Sequence, residues 1–339
     1  MSFRAAIAFL SLLTPAFAAD PVLEGVERIW GQAPHSAFGD LLHHEGRWLC
    51  VFREGVRHVA GGSLLKDDGK VRVIASRDAK QWESLAVVEE DGVDLRDPHL
   101  SVTADGRLML TMGGSIYRNA TYGGRQPRVA FSRDGRTWTA PRRVLREGDW
   151  LWRVTWHKGW AYGVAKYGSY GKTEPGNPRR ADLVRSRNGV DWETVVETKV
   201  DGADETTVRF LKDDTMVALM RRTWGERNTA MIGHAKPPYR EWTWKDAGVF
   251  IGGPNLIVLP DGTMWAGGRY FRSPPNGDPV TVLARLTLDS YKPVLTLPSG
   301  KDSSYPGFVW HDGKLWMSYY SSHEDRTAMY LARIQVPRK

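Results

Sequence analysis

One cysteine, Cys50, stands among 339 residues, so no internal disulfide can form and stability must come from packing. Cys50 lies in the apolar run Trp48-Leu49-Cys50-Val51-Phe52, where a small buried side chain is its expected role. Long apolar runs are also lacking. After the first residues none reaches the roughly 20 needed to cross a bilayer, so no membrane span is expected. Extended helical periodicity is missing, which argues against helical bundles and α/β folds. No Gly-rich loop precedes a helix and no basic module stands out, so neither nucleotide nor nucleic-acid binding is expected. Histidines 43, 44, 157 and 311 sit beside turns with no zinc-like pair and third ligand, so no metal and no cofactor are expected.

What is present is apolar and slightly basic. Hydrophobic residues make up 41% and aromatics 11%, enough for buried cores. The net charge of +8 is spread along the chain and permits an acidic partner without requiring one. Arg4, the apolar stretch from Ala5 to Phe17 and the small-x-small triplet Ala16-Phe17-Ala18 read as a signal peptide over residues 1–19. The mature chain, 20–339, is therefore expected to be a single periplasmic or secreted domain, acting as a monomer.

Internal repetition organises that domain. Six segments share an apolar strand, a tight turn and a second apolar strand; they open at His35, Arg96, Trp152, Glu205, Gly252 and Ser304. Their turn residues Gly46, Gly106, Gly159, Asp214, Gly262 and Gly313 recur every 48 to 60 residues. A repeat near 50 fits one four-stranded propeller blade, so the expected fold is an all-β, six-bladed propeller. Val26 to Trp30 is expected to close the ring against Tyr330 to Val336.

A second repeat falls between the hairpins. Ser76-Arg77-Asp78-Ala79-Lys80-Gln81-Trp82 matches Ser132-Arg133-Asp134-Gly135-Arg136-Thr137-Trp138 and Ser186-Arg187-Asn188-Gly189-Val190-Asp191-Trp192, with a decayed copy near Tyr239 to Trp244. This Asp-box pattern resembles that of the sialidase superfamily of propellers. The run of hairpins resembles a bacterial group labelled exo-α-sialidase. Its chemistry is structural: the carboxylate accepts turn amides and the Trp packs between strands.

Inner strands of a propeller converge, so the hairpin openings are where a site is expected. They present His35 and Asp40, then Arg96, Asp97 and His99, then Trp152 and Arg153, then Asp204 and Glu205, then Asn255 and Tyr305. The second strands end with Arg53, Glu54, Arg221, Arg222 and Arg269. Taken singly, each is an ordinary strand-end residue. Asp204-Glu205-Thr206-Thr207 followed by Met220-Arg221 resembles the sialidase stretch whose Glu activates a nucleophilic tyrosine. Ser304-Tyr305-Pro306-Gly307 resembles the segment bearing that tyrosine, and Arg269 stands where another arginine of the carboxylate-binding triad falls. The first-blade arginine of that triad is lacking, since the first hairpin opens His35-Ser36-Ala37-Phe38; Leu95-Arg96-Asp97-Pro98 approximates the motif one blade later. The acid/base aspartate is also not evident in Arg53-Glu54-Gly55-Val56-Arg57-His58, which leaves His58 or Glu54 to stand in.

Three functions are compatible with this pattern. One is an exo-glycosidase on a terminal acidic sugar, with Tyr305 as nucleophile, Glu205 as its base, and His58 or Asp97 as proton donor. Arg53, Arg96, Arg221 and Arg269 would clamp the carboxylate, because a planar guanidinium binds both oxygens. The second is a lyase on a uronate glycan, with Tyr305, His58 or His99 removing the proton. The third is a propeller that only binds glycans. In each, His35, His99, Trp152, Arg153 and Asn255 are expected to help line the substrate cavity.

Overall fold

The computed structural model describes residues 19–59, 69–118, 121–168, 180–223, 228–272 and 277–337. The expected signal peptide lies almost wholly in residues 1–18, outside the described ones. Six antiparallel sheets form six blades, each starting near the axis with the first strand of a hairpin. Blade 1 takes residues 35–88, blade 2 94–143, blade 3 150–197, blade 4 203–246 and blade 5 252–296. Blade 6 combines residues 303–335 with Val22–Trp30, which pairs antiparallel to Ala328–Gln335. That pairing sets Val26 opposite Ala332 and Trp30 opposite Met329, so the ring closes through the chain ends as the sequence suggests. In blade 3 the innermost strand is broken into Trp150–Leu151 and Thr155–His157, both paired with Trp160–Tyr167.

Apolar residues from the hairpins meet between blades. Leu49, Val51 and Val73 of blade 1 pack with Leu100, Leu108 and Leu110 of blade 2. Tyr162 and Leu183 of blade 3 meet Val208 and Met220 of blade 4. The Asp-box turns pin the blade edges: Asp78 Oδ1 accepts the amides of Lys80 and Gln81, and Asp134 Oδ1 those of Arg136 and Thr137. In each, the Trp indole donates to the carbonyl three residues earlier, and Trp242 does the same to Tyr239.

Two features of the inner strands position the site. First, five blades carry the same bulge, two residues facing one across the hairpin: 38–39, 97–98, 204–205, 253–254 and 305–306. Phe38, Asp97, Gly253 and Tyr305 sit there at positive φ of 59°, 46°, 59° and 55°. Such bulges re-aim side chains at the cost of local strain. Second, a polar network crosses the axis. Arg153 Nη1 pairs with Asp40 Oδ1 at 2.6 Å and its Nη2 donates to the Pro306 carbonyl at 2.8 Å. Asp40 Oδ2 accepts the Leu100 amide, Asn255 donates to Pro306 O, and Arg209 donates to Asn255 Oδ1. Every blade contributes a member.

Candidate functional site

A cavity of about 300 Å³ opens among the inner strands, with Tyr305, Glu205, Asp97, Arg96 and Arg125 in its wall. A larger groove, about 430 Å³, lies at the blade 1 Asp-box turn around Asp78 and Trp82; there the Ser76 hydroxyl donates to Asp78 Oδ1 at 3.0 Å as part of the turn itself. The central cavity is different.

Tyr305 Oη donates to Glu205 Oε1 at 3.0 Å, across 100 residues of sequence. The other carboxylate oxygen, Oε2, accepts from Arg221 Nη1 at 2.9 Å and from the Gly253 amide at 3.0 Å. Glu205 is thus held on one oxygen and faces the phenol with the other. Burial pushes the Tyr305 hydroxyl well above its ordinary pKa, and the carboxylates of Glu205 and Asp97 push the same way. A resting phenolate is therefore disfavoured.

Asp97 sits on its own bulge with Oδ1 buried and without a hydrogen-bond partner among the described residues. Burial raises its pKa to about 6; Arg96 opposes the rise and Glu205 adds to it. A carboxyl poised there can deliver a proton in mildly acidic to neutral water.

His58 enters the cavity from blade 1, and its Nδ1–H donates to Asp302 Oδ2, 2.6 Å away. His35 Nε2 meets the same oxygen at 3.1 Å, while Arg269 Nη2 and Tyr320 Oη hold Oδ1. Burial would raise the Asp302 carboxyl, but the two histidine bonds and Arg269 overcome it and keep it far below the usual range. Burial lowers His35 despite that carboxylate. The three ligand-type atoms lie within 4.8 Å of one another, a two-imidazole, one-carboxylate set that can hold a metal ion. Sequence spacing could not reveal this cluster, because Asp302 is 267 residues from His35.

The arginines expected to clamp a carboxylate already have carboxylates. Arg53 and Arg96 share Asp94, Arg221 holds Glu205, and Arg269 holds Asp302. Arg53 is fully buried, so no ligand can reach it. Trp152, Arg153, Asn255 and His99 are likewise enclosed, at 1–2% exposure, and their visible work is internal. Trp152 donates to Pro254 O and packs against His99 and Tyr305; Arg153 and Asn255 belong to the axial network. In the folded ring all four side chains are enclosed by protein rather than lining the cavity wall. Glu54 also stands aside, accepting from Trp30 and Arg72.

Gly253 is a site residue that spacing did not single out. A Cβ there would lie 2.5 Å from the Tyr305 ring. Gly253→Ala is expected to leave the propeller folded, displace the phenol from Glu205, and lower turnover about 10-fold or more, since small misplacements of reacting groups are costly. Circular dichroism paired with steady-state rates on a verified substrate checks this.

No protein-family model matches the chain, and no curated protein matches it. Solved structures do. A protein of unknown function from Dyadobacter fermentans has a TM-score of 0.72 at 18% identity, covering 94% of this chain and 98% of its own. Trypanosoma rangeli sialidase bound to the inhibitor DANA has a TM-score of 0.69 at 11% identity, covering 92% of this chain; the chain spans 60% of that enzyme. An α-L-arabinofuranosidase mutant from Fusarium graminearum, bound to an iminosugar inhibitor, has a TM-score of 0.64 at 12% identity, covering 93% and 98%. The fold is the six-bladed β-propeller of the sialidase type, one that glycosidases use.

Proposed function

We propose that this propeller is an exported, monomeric retaining glycosidase acting on a terminal acidic sugar. The observation that carries the reading is the buried Tyr305 Oη to Glu205 Oε1 hydrogen bond at 3.0 Å, in a cavity walled by Asp97 and cationic residues. In the first step Tyr305 Oη bonds to the anomeric carbon as the glycosidic C–O bond breaks. The phenol proton passes to Glu205, and the leaving oxygen takes the proton of Asp97. In the second step water attacks the anomeric carbon and returns a proton to Asp97, while the departing Tyr305 oxygen recovers its proton from Glu205. Where an acidic sugar bears its carboxylate on the anomeric carbon, a neutral phenol avoids the like-charge approach of a carboxylate nucleophile.

A second reading rests on a separate observation. His58 is fixed by Asp302 through Nδ1, so Nε2 is left to act as a base in the same cavity, as a uronate lyase requires. Purified protein incubated with sialosides and with uronate glycans separates the two. The glycosidase releases reducing sugar whose first-formed anomer, read by NMR, keeps the substrate's configuration. A lyase creates a new C=C absorbance, and that result overturns the hydrolytic reading.

The proton donor has a pH signature. Asp97 must be protonated to act, so kcat/KM is expected to be high below about 6 and to fall as pH rises through that value. Asp97→Asn should remove this limb and spare substrates whose leaving groups need no proton. A profile unchanged in the Asn variant would assign the donor role elsewhere, to His58 first.

A further inference from the structure

We infer that Arg125 is an anion anchor and that its ligand is the carboxylate of a hexuronate, held away from the anomeric carbon. Arg125 lies on the third strand of blade 2, Thr121–Ser132, opposite Ser115, and shares the cavity wall with Tyr305 and Glu205. The side chain belongs to a residue only 5% exposed. Its Nε donates to the Gly148 carbonyl at 3.1 Å and its Nη2 to the Gly168 carbonyl at 2.6 Å. The guanidinium carbon sits 5.6 Å from the centre of the Trp150 ring. These partners orient the planar fork, yet none carries a full negative charge. Among the described residues no Asp or Glu pairs with Arg125.

The other cations in and behind the cavity wall differ. In the wall Arg96 has Asp94 and Lys166 has Asp204; behind it Arg221 has Glu205 and Arg269 has Asp302. A buried charge without a counter-charge is disfavoured, and an arriving carboxylate removes the penalty while accepting the fork's remaining hydrogens. Arg125 is therefore the place in this wall where an anion gains most.

Its location then selects the ligand. Tyr305 must meet the anomeric carbon, and the cations beside it, Arg221 and Arg269, are already neutralised. A carboxylate borne on the anomeric carbon would find no uncompensated charge there. Blade 2, which carries Arg125, faces blade 5, which carries Arg269, across the ring. A hexuronate has its carboxylate on C5, separated from the anomeric carbon by the ring oxygen, and can present one end to Tyr305 and the other to Arg125. Tyr117 and Tyr122, edge to face at 5.9 Å, stand in the wall near that end and offer ring surface to the sugar.

This inference rests on the reading of the cavity as a glycan site, and its test is separable from the tyrosine mechanism. Wild type, Arg125→Gln and Arg125→Lys are titrated with D-glucuronate, D-galacturonate, glucuronate methyl ester, D-glucose and N-acetylneuraminate. Calorimetry gives affinity. Wild type is expected to bind a hexuronate more tightly than glucose, the methyl ester or N-acetylneuraminate. Arg125→Gln should weaken the hexuronate by roughly 10- to 100-fold, the scale of lost charged hydrogen bonds, and leave glucose unchanged. Arg125→Lys keeps the charge without the fork and should fall between. Should the Gln variant fail to fold, the Lys variant and the ester comparison in wild type decide the matter. Equal hexuronate affinity in the substituted proteins, no preference over glucose, or a preference for N-acetylneuraminate overturns the inference. Loss of hexuronate binding in Arg125→Gln beside normal turnover in Tyr305→Phe would keep the anchor and discard the nucleophile. The opposite pair of results would do the reverse.

Discussion

Tyr305→Phe is expected to lower turnover by roughly 10²-fold or more while the protein stays folded, the scale of a positioned catalytic group. The substitution removes one oxygen and keeps the ring, which packs against Phe38, Trp152 and Tyr320 at centroid distances of 5.2–5.8 Å. What disappears is the atom that donates to Glu205 at 3.0 Å. Glu205→Gln should be nearly as damaging, because burial and the Asp97 carboxylate still keep the phenol protonated. Without a base on Oε1 nothing draws that proton away. Together the two changes should cost little more than the worse one, since groups acting as a unit are not additive. Rates of the single and double variants on one verified substrate check this; additive losses would mean that the residues act independently.

Arg153→Met is expected to destabilise the protein by about 3–5 kcal/mol, the cost of leaving one member of a buried ion pair alone. Asp40 Oδ1 loses its 2.6 Å partner, and the Pro306 carbonyl loses a donor in the same step. The axial network then loses the residue that joins blades 1, 3 and 6. Adding Asp40→Asn should restore part of the loss by removing the stranded charge, while the Leu100 amide still needs an acceptor. Denaturant unfolding of the single and double variants measures both quantities. A loss below about 1 kcal/mol, the range of an exposed pair, would show that the axis is wetter than its burial implies.

Much of the fold is legible in the sequence because the blade repeat writes itself in turns. Glycines at Gly46, Gly106, Gly159, Gly262 and Gly313 all have positive φ, and Asp214 shares it at 65°. The closing strand is legible too, as an unpaired β-run ahead of the first hairpin. Which residues face the cavity is less so. A strand shifted by one position presents its other face, and the bulges shift the inner strands where the site is built. Trp152, Arg153 and Asn255 stand at hairpin openings like Tyr305 and Asp97, yet they run into the axis. Asp302 and Arg125 lie outside the openings, one just before a blade and one on a third strand. Nothing in local spacing marks either; only the folded ring brings Arg125 into the cavity wall and Asp302 behind His58. The Tyr305 and Glu205 pairing came from resemblance, because Ser304-Tyr305-Pro306-Gly307 and Asp204-Glu205-Thr206-Thr207 resemble the sialidase segments that bear a tyrosine and its glutamate.

The central claim is that Tyr305 bonds to the sugar. A fluorinated glycosyl fluoride of the acidic sugar, which forms the covalent adduct readily and releases it slowly, traps that bond. After brief incubation, intact mass and peptide mapping should show one added fluoroglycosyl group on the peptide containing Tyr305, and no adduct in Tyr305→Phe. An adduct on another residue, or release of fluoride with inverted product and no adduct, would contradict the account.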